Sequence, residues 1–324
     1  MAADNVLSVR NLSIDFFSPR GPIHALRQVS LDVPRGSIVG IVGESGSGKS
    51  TLSLAAIGLL ANNAVVRGGQ VLFNGTDVLA MDTAQLRDLR GRSMSMVFQD
   101  PMTSLNPVLS IGAQMIDIQY RERALGTAEK RSRAVAALRR VGIPDADDRL
   151  SRFPHEFSGG MRQRIAIAMG LLGSPELLIA DEPTTALDVT LEAQIIHLLR
   201  GLRRELKGSI LFISHNLGLI AELCDHVVIL YAGEVVEQGT VHDIFHRPRH
   251  PYTEALLICD PARLDKVRRE LPTIPGDVPN LLRAPSGCVF APRCPKVFER
   301  CREERPADHA VGGSQLARCH LASA

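Results

Sequence analysis

The sequence predicts an α/β fold, in which helices flank a largely parallel sheet, with an added helical subdomain and a small C-terminal extension rich in Cys and Pro. Two observations predict the fold class. Short apolar runs of β-type composition alternate with segments of helical length, in which apolar residues recur every three to four positions. This alternation is typical of a parallel sheet. In addition, 45% of the 324 residues are hydrophobic, which is enough to bury a substantial core.

The predicted elements follow from these patterns. Six apolar runs are predicted strands, at residues 6–16, 38–42, 94–98, 177–180, 210–214 and 227–231. Four periodic segments are predicted helices, at residues 50–60, 128–141, 160–172 and 191–206. Helical patterns dominate from residue 101 to about 172 and interrupt the alternation, so we expect a helical subdomain there. Pro becomes frequent after residue 247, and we therefore divide the chain into a domain of residues 1–250 and an extension of residues 251–324.

Charge and hydropathy exclude several classes of protein. Lys and Arg number 37 against 35 Asp and Glu, so the net charge of +2 gives no electrostatic case for a nucleic-acid partner. The longest apolar stretch, residues 165–173, is far shorter than the ~20 residues that span a bilayer. The N-terminus lacks a basic start followed by an apolar run, so we expect no secretory signal. We therefore expect a cytoplasmic protein, in which disulfides are disfavoured.

The strongest local signal is a glycine-rich loop between the predicted strand 38–42 and the helix that begins near Ser50. It fits the pattern GxxxxGK[ST] and consists of Gly43, Glu44, Ser45, Gly46, Ser47, Gly48, Lys49, Ser50 and Thr51. Glycines allow several backbone N–H groups to face one point, and the following helix N-terminus adds partial positive charge. We expect Lys49 to reach the β- and γ-phosphates and the Ser50 hydroxyl to ligate Mg²⁺. The sequence therefore predicts a P-loop site for ATP and Mg²⁺.

A second motif consists of two acidic residues, Asp181 and Glu182, which directly follow the apolar run 177–180. We expect Asp181 to hold the Mg²⁺ shell and Glu182 to polarise a water for in-line attack on the γ-phosphate. A strand that ends in acids is often only entering a turn. The upstream P-loop favours the functional interpretation.

Some twenty residues earlier, Ser158, Gly159 and Gly160 resemble the signature of ATP-binding-cassette (ABC) ATPases. The usual form is LSGGQ, and here Phe157 and Met161 stand in place of Leu and Gln. A hydroxyl and backbone N–H groups at a helix N-terminus suit an anion, and small residues permit close approach. The resemblance covers roughly residues 6–247 and implies a P-loop NTPase core of the ABC type, whose helical subdomain carries the signature.

Further residues carry roles that this resemblance implies. Gln99 resembles the Q-loop glutamine that contacts Mg²⁺ and the attacking water, and Asp188 matches the D-loop. His215 matches the switch histidine that contacts the γ-phosphate. For adenine stacking we expect Phe16, with Phe17 as the alternative; in the competing interpretation both are strand core residues.

Within the ABC superfamily, the chain resembles the ATP-binding subunits of oligopeptide and dipeptide importers, a group that includes nickel and glutathione systems. Residues 98–107, 158–164 and 250–253 carry this resemblance. Each ATP lies between the P-loop of one domain and the signature of another, so the resemblance implies a second homologous ATPase subunit, in a heterodimer or alternatively a homodimer. It also implies two transmembrane permease subunits, docked through residues 99–107, and an extracytoplasmic substrate-binding protein. The location is then peripheral, on the cytoplasmic face of the inner membrane. A soluble ABC ATPase acting on nucleic acid or in translation is the alternative from another class.

The extension contains four potential thiolate ligands, Cys288, Cys294, Cys301 and Cys319. A metal centre is a natural reason to concentrate thiols in a Pro-rich segment of a cytoplasmic protein. Spacing alone leaves zinc, an iron–sulfur cluster and unliganded thiols open. The importer resemblance favours a 4Fe-4S cluster, and in a zinc site His309 or His320 could replace one Cys. We expect Cys224 and Cys259 to be buried thiols.

Overall fold

The structure is a computed structural model that describes residues 4–100, 104–184, 189–205, 208–260, 272–283 and 285–323. The chain forms two compact units. The first unit contains Met1–Ala80 and Phe212–Ala324, and the second contains Met81–Leu211. The predicted helical subdomain at residues 101–172 and the predicted domain boundary at residue 250 stay predictions.

The elements of the described residues are as follows, in chain order. The strands are β1 Asn5–Ser18, β2 Gly21–Pro34, β3 Ile38–Val42, β4 Ala64–Phe73, β5 Thr76–Asp77, β6 Met94–Val97, β7 Leu177–Asp181, β8 Ser209–Ile213, β9 His226–Tyr231, β10 Glu234–Thr240, β11 His309–Gly312 and β12 Gln315–Ala317. The helices are α1 Lys49–Ala56, α2 Thr83–Leu89, α3 Ile111–Asp117, α4 Thr127–Arg140, α5 Ala146–Arg149, α6 Gly159–Leu171, α7 Val189–Glu205, α8 Leu217–Leu223, α9 Val241–His246, α10 Pro251–Ile258 and α11 Glu299–Glu303.

The first unit contains an antiparallel sheet in the order β2-β1-β4-β5. Strand β1 pairs antiparallel with β2 on one side and with β4 on the other. Its residues Leu7, Val9 and Leu12 are fully buried, and a register shift lies between Val9 and Leu12. Of this sheet, the sequence predicts only β1, because β2 and β4 mix apolar residues with Arg, Gln, Gly and Pro and therefore contain no long apolar run.

A second sheet of the first unit runs in the order β11-β12-β10-β9-β3. Strands β3 and β9 are parallel, and the remaining pairs are antiparallel. All five residues of β3 are buried, as expected of a strand covered on both faces. Strand β12 pairs with β10, so the C-terminal residues extend this sheet.

The second unit contains the parallel pair β6 and β7, in the order β8-β7-β6. The chain passes from the second unit to the first within β8. Helices α3 to α6 occupy the segment between β6 and β7, and α4 packs against both α3 and α6. Within the part of the chain that the structure describes, no helix combines the length and the apolar character required to cross a membrane.

The six predicted strands correspond to β1, β3, β6, β7, β8 and β9, and the four predicted helices to α1, α4, α6 and α7. Their bounds agree within two residues, except that α1 ends at Ala56 rather than near residue 60. The sequence predicts a largely parallel sheet, but it does not predict the antiparallel sheet β2-β1-β4-β5 of the first unit. The α/β class itself is confirmed.

Candidate nucleotide site

The P-loop lies in the first unit, between β3 and α1. Gly43 is buried at its start, where an added Cβ would lie 2.0 Å from the Leu230 carbonyl oxygen. Glycine is therefore required for the backbone to pass β9 this closely. The loop closes on itself through a hydrogen bond from the Ser47 N–H to the Glu44 carbonyl oxygen, 3.1 Å long.

Lys49 opens α1 and turns back over the loop. Its side chain is buried, and Nζ donates to the carbonyl oxygens of Gly43 at 2.9 Å and Glu44 at 3.2 Å. No side chain caps α1 at Gly48, so the N–H groups of the first turn face the loop. Ser50, in that turn, is exposed. A cation, the N–H groups of a helical first turn and an accessible hydroxyl together suit a polyphosphate with Mg²⁺.

Ser47 provides a further test of this fit. Its Oγ is buried and has no hydrogen-bond partner among the described residues. A buried hydroxyl without a partner is costly, and a bound polar group inside the loop would satisfy it. The residues of the loop therefore fit a bound phosphate chain.

Two residues that the sequence analysis did not predict as part of the nucleotide site, Arg293 and Tyr252, hold Glu44 in place. Its carboxylate forms a 2.8 Å ion pair with Arg293, and its N–H donates to the Tyr252 hydroxyl at 3.1 Å. Tyr252 belongs to the segment 250–253, which carried the importer resemblance but no predicted site role. Arg293 gave no sequence signal, because its partner lies 249 positions away.

Phe16 and Phe17, the candidates for adenine stacking, lie on β1. Phe16 is half-buried, whereas Phe17 is 52% exposed and stacks with the Arg67 guanidinium 5.5 Å from its ring centroid. Phe17 is thus not a core residue. The choice of Phe16 for stacking stays a prediction.

Asp15 precedes these aromatic residues and is buried between the side chains of Arg67 and His24. Its carboxylate accepts from Arg67 Nε at 2.7 Å and lies 2.7 Å from His24 Nδ1. Burial opposes ionisation of Asp15, but the hydrogen bonds from Arg67 and His24 outweigh it and lower the pKa of this carboxyl below its usual value.

His215 lies in the first unit and follows β8. The preceding Ser214 donates its N–H to the carbonyl oxygen of Ile41 on β3, at 3.1 Å. The following Asn216 caps α8 by accepting from the N–H groups of Gly218 and Leu219. The exposed His215 side chain is therefore held at the end of a strand, beside the strand that leads into the P-loop.

In the second unit, Gln99 and Glu182 are brought together. Strands β6 and β7 are parallel neighbours with Val97 opposite Ala180, so the residues that follow them meet at one edge. Gln99 Nε2 donates to Glu182 Oε2 at 3.3 Å. Glu182 adopts the left-handed conformation, with φ +45°, which is strained for a side chain of this type and common at functional sites. Asp181, at the end of β7, is 5% exposed.

The signature residues begin α6 in the same unit. Ser158 caps the helix, since its Oγ accepts from the Met161 N–H at 3.4 Å. Ser158 and Gly159 are exposed, whereas Gly160 is buried, and a Cβ added there would lie 2.9 Å from the terminal methyl groups of Leu191, which would have to shift. Phe157 is 3% exposed, so the non-consensus aromatic residue anchors the motif in the core. Asp188 lies outside the described residues.

The four thiols of the extension line one cavity in the first unit, together with His250 and His320. Burial, reinforced by the neighbouring thiols, raises the pKa of Cys288 to about 12, and burial also raises the pKa of Cys294 and Cys319. Four thiols around one space are a donor set for zinc or for an iron–sulfur cluster, whose binding displaces the thiol protons. In the described part of the chain, however, no group of three or more His, Cys, Asp or Glu side chains is arranged to hold a metal ion.

The remaining candidate His and Cys residues differ in their surroundings. His320 lines the thiol cavity, whereas His309 begins β11 and is not among the lining residues. Cys224 is buried as expected. Cys259, at the end of α10, is only half-buried, so the expectation of a buried thiol is wrong there.

The P-loop and the signature sequence identify the class of protein as an ATP-binding cassette. The ABC transporter family matches residues 26–185, and the family of oligopeptide/dipeptide transporter C-terminal regions matches residues 236–301. The dimeric structure of the ATP-binding cassette MJ0796 in a post-hydrolysis state bound to ADP and Pi has a TM-score of 0.65 and 26% identity, covering 72% of this chain and 98% of that one. The predicted P-loop fold of the ABC type is confirmed.

Two curated relatives cover nearly the whole chain. The oligopeptide transport ATP-binding protein OppD of Salmonella typhimurium is 46% identical over 317 residues, which are 98% of this chain and 94% of that protein. The dipeptide transport ATP-binding protein DppD of Escherichia coli is 44% identical over 315 residues, which are 97% of this chain and 96% of that protein. The chain belongs to the ABC transporter ATP-binding subunits of the oligopeptide/dipeptide group, and the predicted resemblance is confirmed.

Proposed function

We propose that this chain binds and hydrolyses ATP to energise an ABC importer for dipeptides and oligopeptides. The observation that carries the proposal is the 46% identity with an oligopeptide transport ATP-binding protein over 98% of the chain. The geometry of the P-loop supports it, because Lys49 and the open first turn of α1 suit a triphosphate.

In this proposal each motif has a distinct chemical role. The P-loop and Lys49 bind the phosphates, and Ser50, Gln99 and Asp181 hold Mg²⁺, which supplies charge neutralisation when bound. Glu182 is the general base that polarises the attacking water. Its hydrogen bond to Gln99 supports this assignment, because the amide orients the carboxylate. His215 contacts the γ-phosphate, Phe16 stacks on adenine, and Asp188 belongs to the partner-facing D-loop.

The proposal requires partners. The chain has one P-loop and one signature, so Ser158, Gly159 and Gly160 serve the nucleotide of a second, homologous ATPase subunit, which we propose forms a heterodimer with this chain. Two permease subunits dock through residues 99–107. The apolar side chains that flank this range, Phe98, Val108 and Leu109, are 39%, 76% and 39% exposed. A substrate-binding protein delivers the peptide from the other side. The chain is then peripheral on the cytoplasmic face of the inner membrane.

We further propose that residues 251–324 are a distinct extension of an ATPase domain formed by residues 1–250, whose helical subdomain spans about 101–172. The four thiols of the extension hold a 4Fe-4S cluster, with zinc as the alternative. The shared cavity supports this proposal. Anaerobic purification should give a brown protein whose visible absorption disappears in Cys294→Ser. A colourless protein with stoichiometric zinc would overturn the cluster and favour the alternative.

Peptide uptake tests the function. In cells that lack the native chain, wild-type protein should restore uptake of a radiolabelled dipeptide or tripeptide, whereas Lys49→Ala should not, because the phosphates lose their cation. Labelled nickel and glutathione serve as competing cargoes. Restored uptake of either of these, but of no peptide, would overturn the peptide assignment. Recovery of the chain with ribosomes or DNA rather than with membranes would overturn transport altogether.

A further inference from the structure

We propose that Arg293, in the C-terminal extension, is a positioning residue for the P-loop, so that the extension sets the affinity of the chain for ATP. The inference rests on the proposed nucleotide site and not on the identity of the cargo. Its basis is the ion pair between the buried Arg293 side chain and the half-buried side chain of Glu44, the second residue of the P-loop.

All three nitrogen atoms of the Arg293 guanidinium donate hydrogen bonds. Its side chain is only 6% exposed, and Nη1 donates to Glu44 Oε2 at 2.8 Å and to the Tyr231 hydroxyl at 3.2 Å. On the other side, Nε donates to the Pro275 carbonyl oxygen at 3.1 Å and Nη2 to that of Ile274 at 2.9 Å. The planar guanidinium is therefore fixed in one orientation, and this fixes the position of the Glu44 carboxylate.

Glu44 in turn organises the loop through its backbone. Its N–H donates to the Tyr252 hydroxyl, and its carbonyl oxygen accepts from both the Ser47 N–H and Lys49 Nζ. A shift of Glu44 therefore moves the ammonium group predicted to bind the phosphates.

A cluster of three aromatic rings also connects the surroundings of Glu44 with the extension. The rings of Tyr231 and Tyr252 lie 4.5 Å apart, and both pack against Phe290, at 5.3 and 5.4 Å. Phe290 directly precedes the 3₁₀ turn Ala291–Arg293 that presents the guanidinium. The extension therefore supports the P-loop through one ion pair and one buried ring cluster.

This arrangement predicts an effect on binding rather than on chemistry. Arg293 contacts Glu44 and not the reacting atoms, so its removal leaves the general base intact but no longer holds the loop in the conformation that binds phosphate. In the assembled complex, Arg293→Met should weaken ATP binding about tenfold, the range expected for one charge-assisted hydrogen bond. The KM for ATP should rise by a similar factor, while kcat at saturating ATP should remain within about twofold.

Arg318→Met is the matched control. Arg318 is also an arginine of the extension, is 9% exposed, and pairs with Asp308 and Glu234, neither of which belongs to the P-loop. This variant should lose stability but bind ATP with wild-type affinity. Equal weakening of ATP binding in both variants would overturn the proposal, because it would indicate a general loss of structure.

A double-mutant cycle separates positioning from a structural role. If Arg293 acts through Glu44, the variant that combines Arg293→Met with Glu44→Gln should bind ATP no more weakly than the worse single variant. Losses that multiply would contradict the proposal. Arg293→Lys keeps a cation but loses the planar fork, so its affinity should lie between those of wild type and Arg293→Met; this result also tests the proposal if the Met variant does not fold. Wild-type affinity in the folded Met variant would overturn it.

Discussion

Gly43 and Gly46 belong to one loop but are required for different physical reasons. At Gly43, an added Cβ would lie 2.0 Å from the Leu230 carbonyl oxygen and 2.7 Å from Ser47 Oγ. At Gly46, the φ angle of +76° is left-handed, and no atom lies within 4 Å of an added Cβ. The first position excludes a side chain by close approach, and the second only by backbone preference.

The two substitutions should therefore differ in severity. Gly43→Ala forces the loop away from β9 and should cost roughly 2–3 kcal/mol of unfolding free energy, with loss of nucleotide binding. Gly46→Ala should cost about 1 kcal/mol and keep measurable binding. Urea unfolding and ATP titration measure both effects. Equal losses at the two positions would contradict the assignment of Gly43 to steric exclusion.

Asp15 makes stability depend on pH in a defined direction. The hydrogen bonds from Arg67 and His24 lower its pKa in the folded chain below the ordinary value of 3.8. The unfolded chain therefore binds more protons in acid, and the stabilisation is complete above the ordinary pKa and is lost as the pH falls through the folded one.

Asp15→Asn tests this dependence. The difference in unfolding free energy between wild type and variant should be largest near neutral pH and should shrink as the pH falls below about 4. Denaturant unfolding at a series of pH values measures it. A difference that stays constant from pH 7 to pH 3 would show that the Asp15 charge contributes no stability.

At the scale of elements, Glu234 connects β10 with β2 and with the extension. This carboxylate is 1% exposed and pairs with Arg27 at 3.0 Å, Arg305 at 3.0 Å and Arg318 at 3.4 Å. Burial of one carboxylate among three guanidinium groups makes the cluster depend on that carboxylate, because its removal leaves like charges facing each other.

Glu234→Gln should therefore lower the unfolding free energy by about 3 kcal/mol. Glu254→Gln is the control, since Glu254 pairs with Lys296 on the surface, where the two side chains are 35% and 49% exposed; this change should cost less than about 0.5 kcal/mol. Thermal unfolding of both variants measures the contrast. Similar losses would show that the cluster is no more important than a surface pair.

The sequence predicts those elements whose pattern is local. Strands β3 and β7 are continuous apolar runs followed by polar motifs, so their type and their position directly before these motifs are predictable. Strands β2 and β4 gain stability from pairing with β1, and no local pattern records that pairing. The same reason hides Arg293 and Tyr252, because the contacts that hold Glu44 join residues more than 200 positions apart.

At the scale of the whole molecule, the motifs of the proposed nucleotide site are distributed over two units. The P-loop and His215 belong to the first, and Gln99, Glu182 and the signature belong to the second. One chain supplies one P-loop and one signature. In the proposed function, each nucleotide lies between the P-loop of one chain and the signature of another. Closure around ATP then requires a second subunit, and we propose that this closure is the step that performs work on the permease.

Glu182→Gln in the reconstituted importer tests this account most directly, with phosphate release and association of the ATPase subunits measured side by side. The amide cannot accept the proton of the attacking water, so phosphate release should fall by at least about 100-fold. ATP should still bind and should hold the two subunits together, since the P-loop and signature are unchanged. Undiminished phosphate release, or subunits that ATP does not bring together, would contradict the account.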